Sequence, residues 1–176
     1  MNKLPTSEGR MIAALDNYLE LSDILMNDLQ SLHGSKSESQ SWRRNCIRVS
    51  ASLIEGYAHS YHEMCQIGLD FPNSLSNKEK KVISSEQGFA TDERFKLSLR
   101  AAYKLFELEP LPDFGRLDWH RAKLYFEKRH QLMHPKSKVD FQILEESWPD
   151  LYEGCVWLIE QLINFINLSH KKYIKK

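Results

Sequence analysis

The sequence predicts an all-α fold, a helical bundle of about five helices. Glycine and proline are few, at 7 and 6 residues, and the long stretches between them repeat apolar residues at helical spacing. Hydrophobic residues make up 41% of the chain and charged residues 27%, which is ordinary for a globular protein with a sizeable core. We therefore expect residues 1–176 to form one domain.

Charge and cysteine content limit the ligands and the cellular location that we expect for this protein. The formal net charge is zero, so any contact with nucleic acid has to rest on local basic patches. Cys46, Cys65 and Cys155 form no metal-ligand pattern, and reduced thiols predict a cytoplasmic location. The first five residues lack a secretory signal, and the apolar stretch 156–168 is too short and too polar to span a bilayer. We expect no metal, no cofactor and no membrane contact.

The first helix is predicted from about residue 8 to residue 32, with Ser7 as its N-cap. Its core face follows one helical stripe, which comprises Ile12, Leu15, Leu19, Ser22, Met26 and Leu29. A loop is predicted to follow it.

The second helix is predicted to begin at Ser41, its N-cap, and to run to about Gly68. A polar stripe about 60° wide runs down this helix. The stripe comprises Arg44, Arg48, Glu55, His59 and His62. A solvated face of paired charges is one interpretation. The alternative is that Glu55 orients a catalytic side chain and Arg48 binds a phosphate.

Residues 70–90 are predicted to be a flexible insert loop, in which Asn77 caps one short turn through the lysines that follow. The third helix is predicted to begin at Thr91 and to end before Pro110. Its core face comprises Phe95, Leu99, Ala102, Tyr103 and Phe106. Asp118 is the predicted N-cap of the next helix.

The fourth helix ends at the most informative stretch of the chain. Pro135 disfavours the α conformation at His134, so the helix is predicted to stop there. At roughly 100° per residue, Arg129 lies close to Tyr125 and Met133, inside the apolar stripe. A guanidinium in that position needs an acidic partner or an anion. Arg129 and His134 therefore either act together on a phosphate or have separate structural roles. In the structural case Arg129 belongs to an ion pair, and His134 interacts with the dipole at the helix end.

The segment from His120 to Lys138 is basic although the whole chain is neutral. It carries six lysine and arginine residues against one acid. Such a segment can receive a phosphodiester backbone, and Lys128 and Lys136 are its candidate substrate contacts. A basic surface that serves solubility alone is the alternative.

The last helix is predicted to begin at Asp140 or Ser147, with Pro149 in its first turn. Two apolar series run along it. They comprise Leu151, Cys155, Leu158, Leu162 and Phe165, and Tyr152, Val156, Ile159, Ile163 and Ile166. One series is predicted to pack inside the bundle and the other on a second copy; burial of both in one bundle is the alternative. Residues 170–176 form a basic tail.

Arg129 and His134 together resemble the R-x4-6-H motif of the HEPN superfamily (higher eukaryotes and prokaryotes nucleotide-binding domains). His130 matches the polar residue that often follows the arginine of that motif. The resemblance implies a small all-helical domain. For active members it implies a metal-independent endoribonuclease whose composite site forms across a homodimer. Other members bind RNA, a nucleotide or a partner protein without catalysis.

The expected reaction is cleavage of RNA by attack of the 2′-hydroxyl on the adjacent phosphate. His134 would take the proton from that hydroxyl or give one to the leaving oxygen, Arg129 would stabilise the developing charge, and His130 would support the proton transfer. A toxin or phage-defence role, with a cognate antitoxin as partner, follows from association with the family alone. A helical interaction protein whose motif is accidental is a third interpretation.

Overall fold

The computed structural model describes residues 7–34, 37, 39–70, 72–85 and 90–173. Regular structure in these ranges is entirely helical, which confirms the predicted all-α class. Six α-helices follow one another: α1 Ser7–Gly34, α2 Gln40–Gly68, α3 Asn77–Ser84, α4 Thr91–Leu105, α5 Leu117–Met133 and α6 Trp148–Tyr173. A short 3-10 helix, Lys138–Phe141, precedes α6. None of these helices combines the length and the apolar character needed to cross a bilayer.

The helix ends agree with the prediction to within a few residues, but the caps of α2 and α5 differ from it. Ser39, not Ser41, caps α2, because its hydroxyl accepts the N–H of Trp42 at 3.2 Å. Arg116 occupies the N-cap position of α5, so Asp118 lies in the first turn instead. Of the two predicted starts of the last helix, Ser147 is confirmed, because α6 begins at Trp148, whereas Asp140 belongs to the 3-10 helix. For α1, the side chains of Ile12, Leu15, Leu19 and Ser22 lie outside the described residues, as do residues 174–176 of the tail.

Helix α3 replaces the single turn predicted inside the 70–90 segment. Ser76 rather than Asn77 is its N-cap: the Ser76 hydroxyl accepts the N–H of Glu79, and the Glu79 carboxylate accepts the N–H of Ser76 at 2.7 Å. Glu79, Val82 and Ile83 are buried, so the helix is held by packing that a run of lysines conceals in the sequence. The prediction of a loop is thus wrong for residues 77–84, which form a helix. Flexibility in the rest of the segment stays a prediction.

The chain divides into two compact units. The first comprises Met1–Asp23, Gly56–Pro112 and Asn167–Lys176, and the second comprises Ile24–Glu55 and Asp113–Ile166. In the first unit the predicted core face of α4 is confirmed, since all five of its residues are buried: Phe95, Leu99, Ala102, Tyr103 and Phe106.

In the second unit, α5 is fixed to α2 by one buried tyrosine. The Tyr125 hydroxyl donates to the carbonyl of Ile47 at 3.2 Å and shares a hydrogen bond with the Ser50 hydroxyl at 2.8 Å. Burial raises the pKa of Tyr125 well above its usual value, so the hydroxyl stays neutral. These bonds set the position of the helix that carries Arg129.

The two apolar series of α6 differ in exposure. In the first series Leu151, Leu158, Leu162 and Phe165 are buried and Cys155 is half-buried. In the second, Ile159 and Ile166 are buried, Val156 and Ile163 are half-buried, and only Tyr152 is exposed. Most of the second series is therefore covered within one chain, as the alternative interpretation expects. Contact with a second copy stays a prediction.

The three cysteines are free thiols; Cys46 is buried, as predicted for a core residue, Cys65 is also buried, and Cys155 is half-buried. Burial raises the pKa of Cys65 to about 12 and that of Cys155 to about 11. Both thiols therefore stay protonated at neutral pH and are poor nucleophiles.

Replacement of Gly154 by alanine tests the approach of α6 to α5. A Cβ at position 154 would lie 2.4 Å from the carbonyl oxygen of Arg121, so the helix backbones would have to separate. We expect Gly154→Ala to lower the free energy of unfolding by about 1–3 kcal/mol, measured by urea denaturation. Gly34→Ala is the control, since a Cβ there meets no atom within 4 Å. Equal stability of the two variants would contradict this packing.

Replacement of Glu79 by glutamine tests the buried ion pair of the first unit. Burial opposes ionisation of Glu79, but hydrogen bonds from Lys104 and Ser76 outweigh it and lower the pKa of Glu79. A carboxylate whose pKa is lower in the folded state than in the unfolded state stabilises the fold at pH values above its unfolded-state pKa. That stabilisation is lost as the pH falls through the folded-state pKa. We expect Glu79→Gln to cost about 1.5–3 kcal/mol at pH 7. Thermal melts should show that the difference from wild type shrinks towards pH 3; a constant difference would contradict the assignment.

Candidate functional site

The site is built on the last turn of α5, where Arg129 turns towards α2. One guanidinium nitrogen of Arg129 forms an ion pair with the Glu55 carboxylate. The Arg129 side chain is 18% exposed and that of Glu55 is 49% exposed. The structure therefore places Arg129 on the inner side of the helix, as the sequence predicts, and it brings Glu55 to it. Whether the pair acts on a substrate stays a prediction.

Arg129 is only partly satisfied by this ion pair. Its Nε atom is buried and has no hydrogen-bond partner among the described residues. Burial also lowers the pKa of the guanidinium, although an arginine keeps its proton in proteins. A buried donor without an acceptor costs about 1–3 kcal/mol, so Arg129 is held where an additional acceptor would be favourable.

Two exposed histidines lie at the end of the same helix. The backbone N–H of His134 donates to the carbonyl of His130 at 2.9 Å, and His134 takes the C-cap position just before Pro135. The His130 and His134 rings lie with their centroids 5.0 Å apart. About 7.5 Å of helical rise separates positions 129 and 134. One end of α5 thus presents a fixed cation and two imidazoles.

The predicted polar stripe of α2 is divided between the two units. Arg44, Arg48 and Glu55 belong to the second unit, whereas His59 and His62 belong to the first. We call Arg44, Arg48 and Glu55 the α2 ridge. Arg44 donates to the carbonyl of Phe141 at 3.2 Å, and Glu55 contacts Arg129 at the other end. Arg48 is exposed between them, about 6 Å from Arg44 and about 10 Å from Glu55 along the helix axis.

Lys128 and Lys136 occupy different surroundings. Lys128 donates through Nζ to the carbonyl of Asp140 at 3.0 Å and to the Gln131 side chain at 3.2 Å. Burial lowers the pKa of Lys128. Its ammonium group therefore holds the 3-10 helix against α5, a structural task that the sequence does not reveal. Lys136 is exposed two residues after His134 and is open to an anion.

Residues 134–147, which we call the post-helix loop, follow the site and are held at several points. The Asp140 carboxylate accepts the N–H groups of Lys136 and Ser137 at 2.7 Å each, and these bonds lower the pKa of Asp140. The side-chain amide of Gln40 bonds both the carbonyl and the N–H of Ile143, at 2.7 and 2.9 Å. The Ser137-x-x-Asp140 spacing is a recognisable capping pattern, but nothing local marks Gln40.

The described residues contain no cluster of three histidine, cysteine, aspartate or glutamate side chains that could hold a metal ion. The groups that the site offers are cations, imidazoles and one carboxylate, which suit an anion and proton transfer.

Comparison of the chain with protein-family models, curated proteins and solved structures finds no match. Membership of the HEPN superfamily therefore stays a prediction, based on the resemblance of Arg129, His130 and His134 to the motif of that superfamily.

A double-mutant cycle tests the Arg129–Glu55 ion pair. We expect Arg129→Ala and Glu55→Ala, made singly and together, to show a coupling of about 1 kcal/mol in urea unfolding, because one partner is largely buried. The control is the Arg116–Asp113 pair of the same unit, in which both side chains are exposed. Its coupling should be clearly smaller, and equal couplings would mean that burial adds nothing at Arg129.

Proposed function

We propose that this protein is a metal-independent endoribonuclease of the HEPN type, with Arg129 and His134 acting on one phosphodiester of RNA. The observation that carries the proposal is the combination at one helix end. A half-buried arginine, fixed by Glu55 and with a donor still unpaired, lies about one and a half helical turns before an exposed histidine.

In the proposed reaction the ribose 2′-oxygen attacks the adjacent phosphorus while the bond from phosphorus to the 5′-oxygen breaks. One imidazole removes the proton of the 2′-hydroxyl and another delivers a proton to the leaving 5′-oxygen. His134 fills one of these roles, and His130 or the His134 of a second copy fills the other. Arg129 stabilises the charge that develops on the phosphorane. The products are a 2′,3′-cyclic phosphate and a 5′-hydroxyl.

Glu55 acts as a positioning residue in this scheme. It contacts one nitrogen of the guanidinium, and an arginine has five N–H donors, so others remain for a phosphate. Arg48, exposed on the α2 ridge, contacts a neighbouring phosphate, and Lys136 contributes positive charge beside His134. Lys128 supports the loop instead of contacting substrate directly.

The homodimer and the biological role rest on the resemblance alone. A second copy would complete the composite site, and a cytoplasmic toxin or phage-defence enzyme would have a cognate antitoxin or another partner protein. The oligomeric state of the purified protein tests the proposed homodimer.

A non-catalytic HEPN-like module that binds RNA, a nucleotide or a partner protein is the second candidate. The observation that favours it is the Arg129–Glu55 ion pair together with the unpaired Nε donor of Arg129, because a guanidinium fixed in this way can bind a phosphate without any proton transfer. Such a module would bind RNA without producing cleaved ends.

Cleavage of total RNA in EDTA tests the proposal. We expect the wild type to leave cyclic-phosphate or 3′-phosphate ends, and His134→Ala and Arg129→Ala each to lower the rate by about 100-fold or more. His120→Ala is the matched control, since His120 is exposed on the same helix, and its rate should equal that of the wild type.

Circular dichroism melts and sedimentation establish that each variant is folded and in the same oligomeric state. Cleavage that persists in His134→Ala would overturn the assignment of the active site. Absence of cleavage in the folded wild type, with RNA still bound, would establish the non-catalytic module.

A further inference from the structure

The post-helix loop exposes apolar side chains although its backbone is firmly held. Val139 is 68% exposed, Leu144 56% and Phe141 37%. Large apolar side chains grouped in this way on one segment mark an interaction surface more often than isolated ones do. We call Val139, Phe141 and Leu144 the apolar display.

The backbone of this loop is tied to both α2 and α5. Arg44 binds the carbonyl of Phe141 and Gln40 binds Ile143, which is itself fully buried. From α5, Lys128 binds the carbonyl of Asp140. The display is therefore presented in a fixed conformation, which lowers the entropy lost when a ligand binds.

Exposed cations occur in the post-helix loop and on the neighbouring α2 ridge. Lys136, Lys138 and Arg48 are exposed, and the three-residue spacing of Lys138 and Phe141 in the 3-10 helix puts them on the same helix face. Three acids belong to the same segment: Glu145 is paired with the buried Arg43, the Asp140 carboxylate accepts the N–H groups of Lys136 and Ser137, and Glu146 is exposed. An aromatic ring next to exposed cations is the arrangement that proteins use to bind single-stranded nucleic acid.

We infer that Phe141 is a base-stacking residue that selects RNA with an unpaired nucleobase about five nucleotides away from the cleaved phosphate. The inference deepens the proposed function and rests on it. Phe141 contacts the Arg44 end of the α2 ridge and Arg129 contacts the Glu55 end. Eleven residues of helix separate these ends, a rise of about 16 Å, which is the rise of about five stacked nucleotides. Arg48 lies along that path and holds an intervening phosphate.

Stacking on Phe141 requires a base that is free on one face. A base inside a duplex is covered by its neighbours on both faces, so it can reach Phe141 only after unstacking. The display thus makes the enzyme favour unpaired RNA, whereas Arg48 and Lys136 contact the backbone of any strand.

The test is binding of a fluorescent ten-nucleotide RNA, single-stranded or annealed to its complement, measured by anisotropy in the His134→Ala background. Phe141→Ala should weaken binding of the single strand about tenfold, the loss of one stacked base, and leave duplex binding unchanged. Phe141→Trp should restore the affinity. Leu117→Ala is the matched control, because Leu117 is an exposed apolar residue of the same unit, and its affinity should not change.

Cleavage by the otherwise wild-type chain gives the second readout. Phe141→Ala should lower kcat/KM about tenfold on the ten-nucleotide strand and leave the cleavage of a dinucleotide unchanged, since a dinucleotide is too short to reach Phe141. An active wild type whose binding and cleavage are untouched by Phe141→Ala would overturn the stacking role and leave the nuclease intact. Binding that depends on Phe141 in a wild type that cleaves no RNA would support stacking and overturn the nuclease. A change in oligomeric state in Phe141→Ala, without a change in RNA affinity, would assign the display to a protein contact and overturn the stacking role.

Discussion

An arginine carried on the inner side of α5 needs a negative group within reach, and Glu55 supplies it. This requirement links the end of α5 to the middle of α2 and fixes the direction in which the guanidinium points. Tyr125, one helical turn earlier, ties the same two helices through Ser50 and Ile47. These two attachments also fix the position of the histidines at the helix end, because α5 is continuous from Tyr125 to its last turn.

The post-helix loop is attached to the same two helices, α2 and α5. Its backbone is bound from α2 by Gln40 and Arg44 and from α5 by Lys128, so it is a fixed part of the second compact unit. Its capping bonds at Asp140 turn the chain sharply after His134. As a consequence, the exposed apolar side chains and the basic α2 ridge belong to one unit with the Arg129–Glu55 pair.

Local signals in the sequence account for much of this description. Helical periodicity gives the all-α class, Pro135 gives the end of α5, and the angular position of Arg129 gives both its inward direction and its need for a partner such as Glu55. Helix α3 could not be predicted in full, because a lysine run masks its buried residues. The task of Lys128 depends on where the loop returns after Asp140, which is a tertiary contact with no local pattern.

The two attachments of α5 differ in physical kind. Tyr125 bonds through a neutral, fully buried hydroxyl, so that attachment is indifferent to dissolved ions. The Arg129–Glu55 attachment joins opposite charges, one of them half exposed, and mobile ions screen it. Rising ionic strength therefore loosens the arginine from its carboxylate while the helix that carries it stays in place. Of the two attachments of α5, salt concentration therefore weakens the Arg129–Glu55 ion pair and leaves the Tyr125 hydrogen bonds unchanged.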